Sequence, residues 1–195
     1  WSCVRTLEGH TGQVGSVAVS PDGEHVVTAS GHGDETARIW RLSDGACLHT
    51  LGHTAPVWSV AVGPDGVHVV TASDDKTARV WLLADGARLR TLEGHTDAVW
   101  SVAVSPDSVH VVTASHDKTA RVWLLADGAR LRTLEGHTCS VWSVAVSPDG
   151  VHVVTASADK TARIWRLSDG ACLHTLGHTA PVWSVAVGPD GVHVV

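Results

Sequence analysis

The chain has 195 residues, 44% of them hydrophobic and 17% charged, which is long enough to bury a sizeable core and too apolar for a disordered chain. Fourteen Lys and Arg stand against twenty Asp and Glu, a net charge of −6, so no basic field draws in nucleic acid or an anionic membrane surface. No apolar run approaches the ~20 residues that span a bilayer, and Phe, Tyr and Met are absent, which leaves Val, Leu, Ala, Ile and nine Trp to build the interior.

In chain order, residues 3–7 read as an outer strand, and then a Gly-His dipeptide recurs at Gly9-His10, Gly52-His53, Gly94-His95, Gly136-His137 and Gly177-His178. A period near 40 residues marks units too small to bury a core alone, which must stack on their neighbours. The second unit shows the content of each. Residues 57–62 form a β-rich run, and Gly63-Pro64-Asp65-Gly66 is a turn. Residues 67–72 form a second strand, 77–82 a third and 87–92 a fourth, with polar turns between them. No helical apolar period of useful length occurs. The expectation is all-β: four-stranded antiparallel blades, radially packed as a β-propeller. The boundaries are an outer strand in 1–8, blades at 9–51, 52–93, 94–135 and 136–176, and a partial blade at 177–195 whose first strand is 182–187. Four complete blades and a part do not make an obvious closed ring. Residues 36–70 and 161–195 are identical, which points to segmental duplication and predicts a parent sequence running on from Val195 as Thr-Ala-Ser-Asp-Asp-Lys-Thr. The absence of a starting Met points the same way.

The Gly-His, the Ser/Gly-Pro-Asp-Gly turn, the Thr-Ala-Ser stretch, the Asp-Lys-Thr turn and the Trp closing the third strand together resemble the WD40 repeat family. The resemblance covers essentially the whole chain. It implies a hydrogen-bonded network in each blade: His10, Thr28, Asp34 and Trp40; His53, Thr71, Asp75 and Trp81; His95, Thr113, Asp117 and Trp123; His137, Thr155, Asp159 and Trp165. In it Asp accepts from the His ring, His meets the Thr hydroxyl, and Thr accepts the indole N–H. A His-Thr-Asp set could otherwise suggest a catalytic triad, but repetition in every blade argues for a structural role. The chain departs from the family pattern in two ways. Arg41, Leu82, Leu124 and Arg166 replace the Asp that usually follows the closing Trp. Val19, Val62, Val104, Val146 and Val187 replace an aromatic at the end of the first strand, which predicts a thinner core.

Between units the variation gathers in two places: after Gly-His-Thr, including Asp97 and Cys139, and in the turn before the third strand, including His32, Asp74 and His116. In a WD40-like blade both lie on the top face. Beside them stand Trp58, Trp100, Trp142 and Trp183, with Gly15 in the equivalent slot of the first unit. These nine residues are the candidate partner-binding surface, and packing between inner strands is the alternative for the tryptophans. The four Cys show no zinc spacing, and reduced thiols point to an intracellular, cytoplasmic setting. The resulting expectation is a non-catalytic scaffold for protein or peptide, with no cofactor, no metal and no nucleic-acid or membrane partner. It would pair with copies of itself to complete a ring, or be part of a longer chain. A small-molecule or enzymatic propeller and a fragment without independent function are the alternatives.

Overall fold

A computed structural model describes residues 3–191. Sixteen strands form four antiparallel sheets, each in simple meander order. The first blade holds β1 (Val14–Val19), β2 (His25–Ser30), β3 (Thr36–Arg41) and β4 (Cys47–Gly52). The second holds β5 (Val57–Val62), β6 (His68–Ser73), β7 (Ala78–Leu82) and β8 (Arg88–Leu92). The third holds β9 (Val99–Val104), β10 (His110–Ser115), β11 (Ala120–Leu124) and β12 (Arg130–Leu134). The fourth holds β13 (Val141–Val146), β14 (His152–Ser157), β15 (Thr161–Arg166) and β16 (Cys172–Gly177). The described residues contain no helix, and so none long and apolar enough to cross a membrane.

Three strands of the second blade start one residue later than the sequence predicts, for one reason. Asp65 Oδ1 accepts the Val67 N–H at 2.8 Å, Asp75 Oδ1 accepts that of Thr77 at 3.1 Å, and Asp85 Oδ1 accepts that of Ala87 at 2.9 Å. Each Asp side chain captures the N–H two residues on, and so holds that residue in the turn.

Two expected strands are absent. Residues 3–7 take no strand, although Arg5 donates to the Ser43 and Asp44 carbonyls below the first blade. Residues 182–187 form no strand beyond an isolated bridge at Val187. A strand exists only through its ladder, and among the described residues neither segment has a sheet partner along its length. The residues 192–195 of the expected next strand lie outside the described residues.

The core sits between blades. Val27, Ala29, Ala37 and Ile39 of the first blade bury against Val57, Val60, Val69 and Trp81 of the second. The same positions recur between second and third blades, and between third and fourth. Val62, Val104 and Val146 pack at the edges of these clusters, at the positions where an aromatic was missed. On the fourth blade, Val182, Val185 and Val187 cover Val154, Ala156 and Ala162 without forming a strand. The outward side of the first blade is open, with Val17 64% and Val19 57% exposed.

Candidate functional site: a hydrogen-bonded frame under a stacked top face

Each blade is built around one threonine hydroxyl. In the third blade Trp123 Nε1–H donates to Thr113 Oγ1 at 2.9 Å, Thr113 Oγ1 lies 2.7 Å from His95 Nε2, and His95 Nδ1 lies 2.7 Å from Asp117 Oδ2. The first blade brings together Trp40, Thr28, His10 and Asp34. The second brings together Trp81, Thr71, His53 and Asp75, and the fourth Trp165, Thr155, His137 and Asp159. The side chains of His53, His95 and His137 are fully buried. Both ring nitrogens are engaged, so these histidines keep no free lone pair for a substrate or a metal.

The electrostatics fit neutral rings over ionised carboxylates. Burial pushes His53, His95 and His137 below the ordinary value, and their Asp partners only partly restore it. Burial works to raise Asp75 and Asp117, but hydrogen bonds from the histidine and from Thr77 or Thr119 outweigh it and hold both well below the carboxylate range. Asp159 is lowered to about 2 by Thr161 and His137 against the same burial. The Thr in the Asp-Lys-Thr turn is thus a further member: the Thr77, Thr119 and Thr161 hydroxyls donate to Asp Oδ1 at 2.5, 2.6 and 2.6 Å. Its recurrence in the sequence was the available signal.

The top face rests on this frame. The register of every first strand slips once, between Val14 and Ser16, Val57 and Ser59, Val99 and Ser101, and Val141 and Ser143. The residue left out of the ladder is Gly15, Trp58, Trp100 or Trp142. A bulge re-aims its residue out of the alternating pattern. Here it leans each indole toward a neighbouring blade. Trp58 and Trp100 stack at 4.9 Å with planes 6° apart, and His116 stacks on the other side of Trp100 at 4.7 Å and 10°. His32 meets Trp58 edge-on at 5.4 Å. Trp142 and Trp183 form a separate stack at 3.9 Å and 13°, in which Trp183 remains 70% exposed. The indoles therefore form two columns. The Nε1 atoms of Trp58 and Trp100 are buried without an acceptor.

The two variable stretches meet through the backbone. Asp74 N–H donates to Pro56 O, His116 N–H to Ala98 O, and Ala158 N–H to Ser140 O, at 2.9 to 3.0 Å. Ser73, Ser115 and Ser157 hydroxyls reach the Ala55, Asp97 and Cys139 carbonyls. Asp74, Asp97 and His32 are exposed, while His116 and Cys139 are half-buried. Two residues distant in each unit are thus neighbours on one rim.

The family described as WD domain, G-beta repeat matches residues 1–41, 45–81, 86–123, 128–166 and 170–195. An uncharacterized WD repeat-containing protein of Synechocystis sp. is 54% identical over 48 residues, 25% of this chain and 14% of that protein. The pre-mRNA-splicing factor prp46 of Emericella nidulans is 47% identical over 51 residues, 26% of this chain and 11% of that protein. The small ribosomal subunit protein RACK1y of Oryza sativa subsp. japonica is 51% identical over 45 residues, 23% of this chain and 13% of that protein. The matched segment spans no more than about a seventh of any of these relatives.

Proposed function

The chain belongs to the WD40 family, and from that membership we propose that it is a non-catalytic scaffold whose top face binds a protein or peptide. One observation carries the reading: the positions that differ between otherwise near-identical units are joined in pairs by backbone hydrogen bonds on a single rim, beside the indole columns. A rigid frame with changeable rim residues is what a recognition surface needs. The relatives named for splicing and for the small ribosomal subunit act within assemblies, which agrees with a scaffold. Because Trp58 and Trp100 spend their faces on each other, contacts fall to the indole edges and to Asp74, Asp97, His32, His116 and Cys139. Among the described residues, Trp183 is the one indole with a broad open face.

The test is to select binders from a random-peptide display library on the intact chain. Peptides that recognise the top face lose affinity when Asp74, Asp97 and His116 are changed to Ala, and keep it when Glu24, in a turn at the opposite end, is changed. Selected peptides that ignore the three top-face changes would remove the proposal.

A second reading has its own observation. Val17 and Val19 hold the positions that Val60 and Val62 occupy against the first blade, yet they lie open. They are the natural seat for another blade, so a second copy completing a ring is the alternative partner. Light scattering after size exclusion distinguishes a defined oligomer from a monomer.

A further inference from the structure

We propose that Arg121 and Arg130, whose guanidiniums approach each other beside Gly94, bind a phosphate group. This site does not use the variable top-face residues. Arg121, on β11, is only 7% exposed, yet its Nε and Nη1 are buried without a partner. Its remaining nitrogen, Nη2, lies 3.7 Å from Asp117 Oδ2, a carboxylate already taken by His95 and by the Thr96 N–H. Arg130, exposed at the start of β12, makes no hydrogen bond or ion pair among the described residues. Both guanidiniums converge on Gly94: a methyl group placed there would meet Arg121 Nη1 at 2.7 Å and Arg130 Nη1 at 3.8 Å. Burial and Arg130 both lower the Arg121 pKa, while Asp117 and Glu135 oppose them. Two cations converging on one glycine, one of them desolvated, call for an anion between them.

The other blades show why this one is different. In the second blade Arg79 also leaves its Nε buried without a partner, as Arg38 and Arg163 do, but its two other nitrogens are paired: Nη1 donates to Gly52 O at 2.8 Å and Nη2 to Asp75 at 2.9 Å. There Leu51 runs directly into Gly52, whereas Glu93 is inserted between Leu92 and Gly94. Gly94 consequently takes φ 129°, a conformation that Gly52 does not share, and no carbonyl caps Arg121. The first and fourth blades keep the buried-side arginine, but Cys47 and Cys172 stand where Arg130 would be. Only the third blade combines a guanidinium whose Nη1 is buried without a partner with a second arginine. Donors from two separate strands suit the several oxygens of a tetrahedral phosphate better than the two of a planar carboxylate.

The test is a titration followed by 15N–1H spectra of the arginine Nε–H groups in the intact chain, at constant ionic strength. Inorganic phosphate, a phosphoserine peptide and acetate are the three probes. The Arg121 signal shifts saturably with phosphate, the Arg79 signal stays in place, and Arg130→Gln weakens binding by about tenfold or more, the loss of a charge-assisted contact. Tighter binding of the phosphoserine peptide identifies a phosphorylated partner as the source; tighter binding of inorganic phosphate identifies the free ion. An unmoved Arg121 signal, an equal shift of Arg79, an equal response to acetate, or an Arg130→Gln variant that titrates like the parent overturns the proposal. Because Arg130 is exposed, its replacement leaves the fold intact, and the same spectra verify that.

Discussion

Changing Thr113 to Val isolates the hub of one blade. Valine has nearly the volume of threonine, so no cavity opens in the third blade, where Thr113 is fully buried. What disappears is the oxygen that accepts the Trp123 indole N–H at 2.9 Å and meets His95 Nε2 at 2.7 Å. Both partners stay buried with nowhere to turn. Each orphaned group costs about 1–3 kcal/mol, so the variant loses about 3 kcal/mol after the modest gain from burying a methyl. At roughly 2–4 °C per kcal/mol for a chain of this size, the melting temperature falls by about 6–12 °C. Calorimetry and circular dichroism measure it, and the Trp123 indole proton, followed by hydrogen exchange, locates it. Thr113→Ser, which keeps the hydroxyl, serves as the control and melts close to the parent. A valine variant within about 1 °C of the parent, or a serine variant that falls as far as valine, would refute the hub.

Two further outcomes follow from the same frame. His53, His95 and His137 have folded-state pKa values lowered by burial, so the unfolded chain takes up their protons first as the pH drops. Their contribution is complete above the unfolded value of about 6.5 and drains away below it, and the lowered Asp75, Asp117 and Asp159 add a second loss beneath the ordinary carboxylate pKa of 3.8. Melting scans from pH 8 to 3 should show a plateau, then a decline; rising stability between pH 7 and 5 contradicts the buried neutral rings. Separately, Trp100→Ala breaks two stacks at once and costs about 2–3 kcal/mol, whereas the mostly exposed Trp183→Ala costs less than about 1 kcal/mol. Equal losses in urea unfolding would mean that the columns do not bear on stability.

The sequence revealed what is local and repeated. Strands, turns and their order follow from β-branched runs bounded by Gly, Pro and Asp. The His-Thr-Asp-Trp set stood out because it recurs at fixed intervals. What it hid depends on partners elsewhere in space. Residues 57–62 and 182–187 have the same sequence, yet only the first is a strand, because only it meets a ladder. The strand pattern of Val57 to Val62 gives no hint that Trp58 is a bulge residue, which is what turns it toward Trp100. One inserted Glu decides whether an arginine finds a carbonyl, as Arg79 and Arg121 show. A Ser-to-Gly exchange acts in the same way. With Ser20 present, the Asp22 carboxylate bonds that hydroxyl and stays 3.9 Å from His25. With Gly63 in its place, Asp65 moves onto His68 Nδ1 at 2.7 Å.

The interfaces between blades use the same valines and alanines each time, and this has a cost during folding. A face presenting Val70, Ala72 and Ala78 cannot tell the third blade from the fourth by contacts alone. Shape and chemistry leave the seating order degenerate. What breaks the tie is tethering: residues 93–98 are all that separate β8 from β9, so the correct neighbour arrives at a far higher effective concentration than any other. Lengthening that connector would leave every native contact in place while letting the chain assemble in the wrong sequence. The chain's topological fidelity therefore resides in the short connectors between its blades.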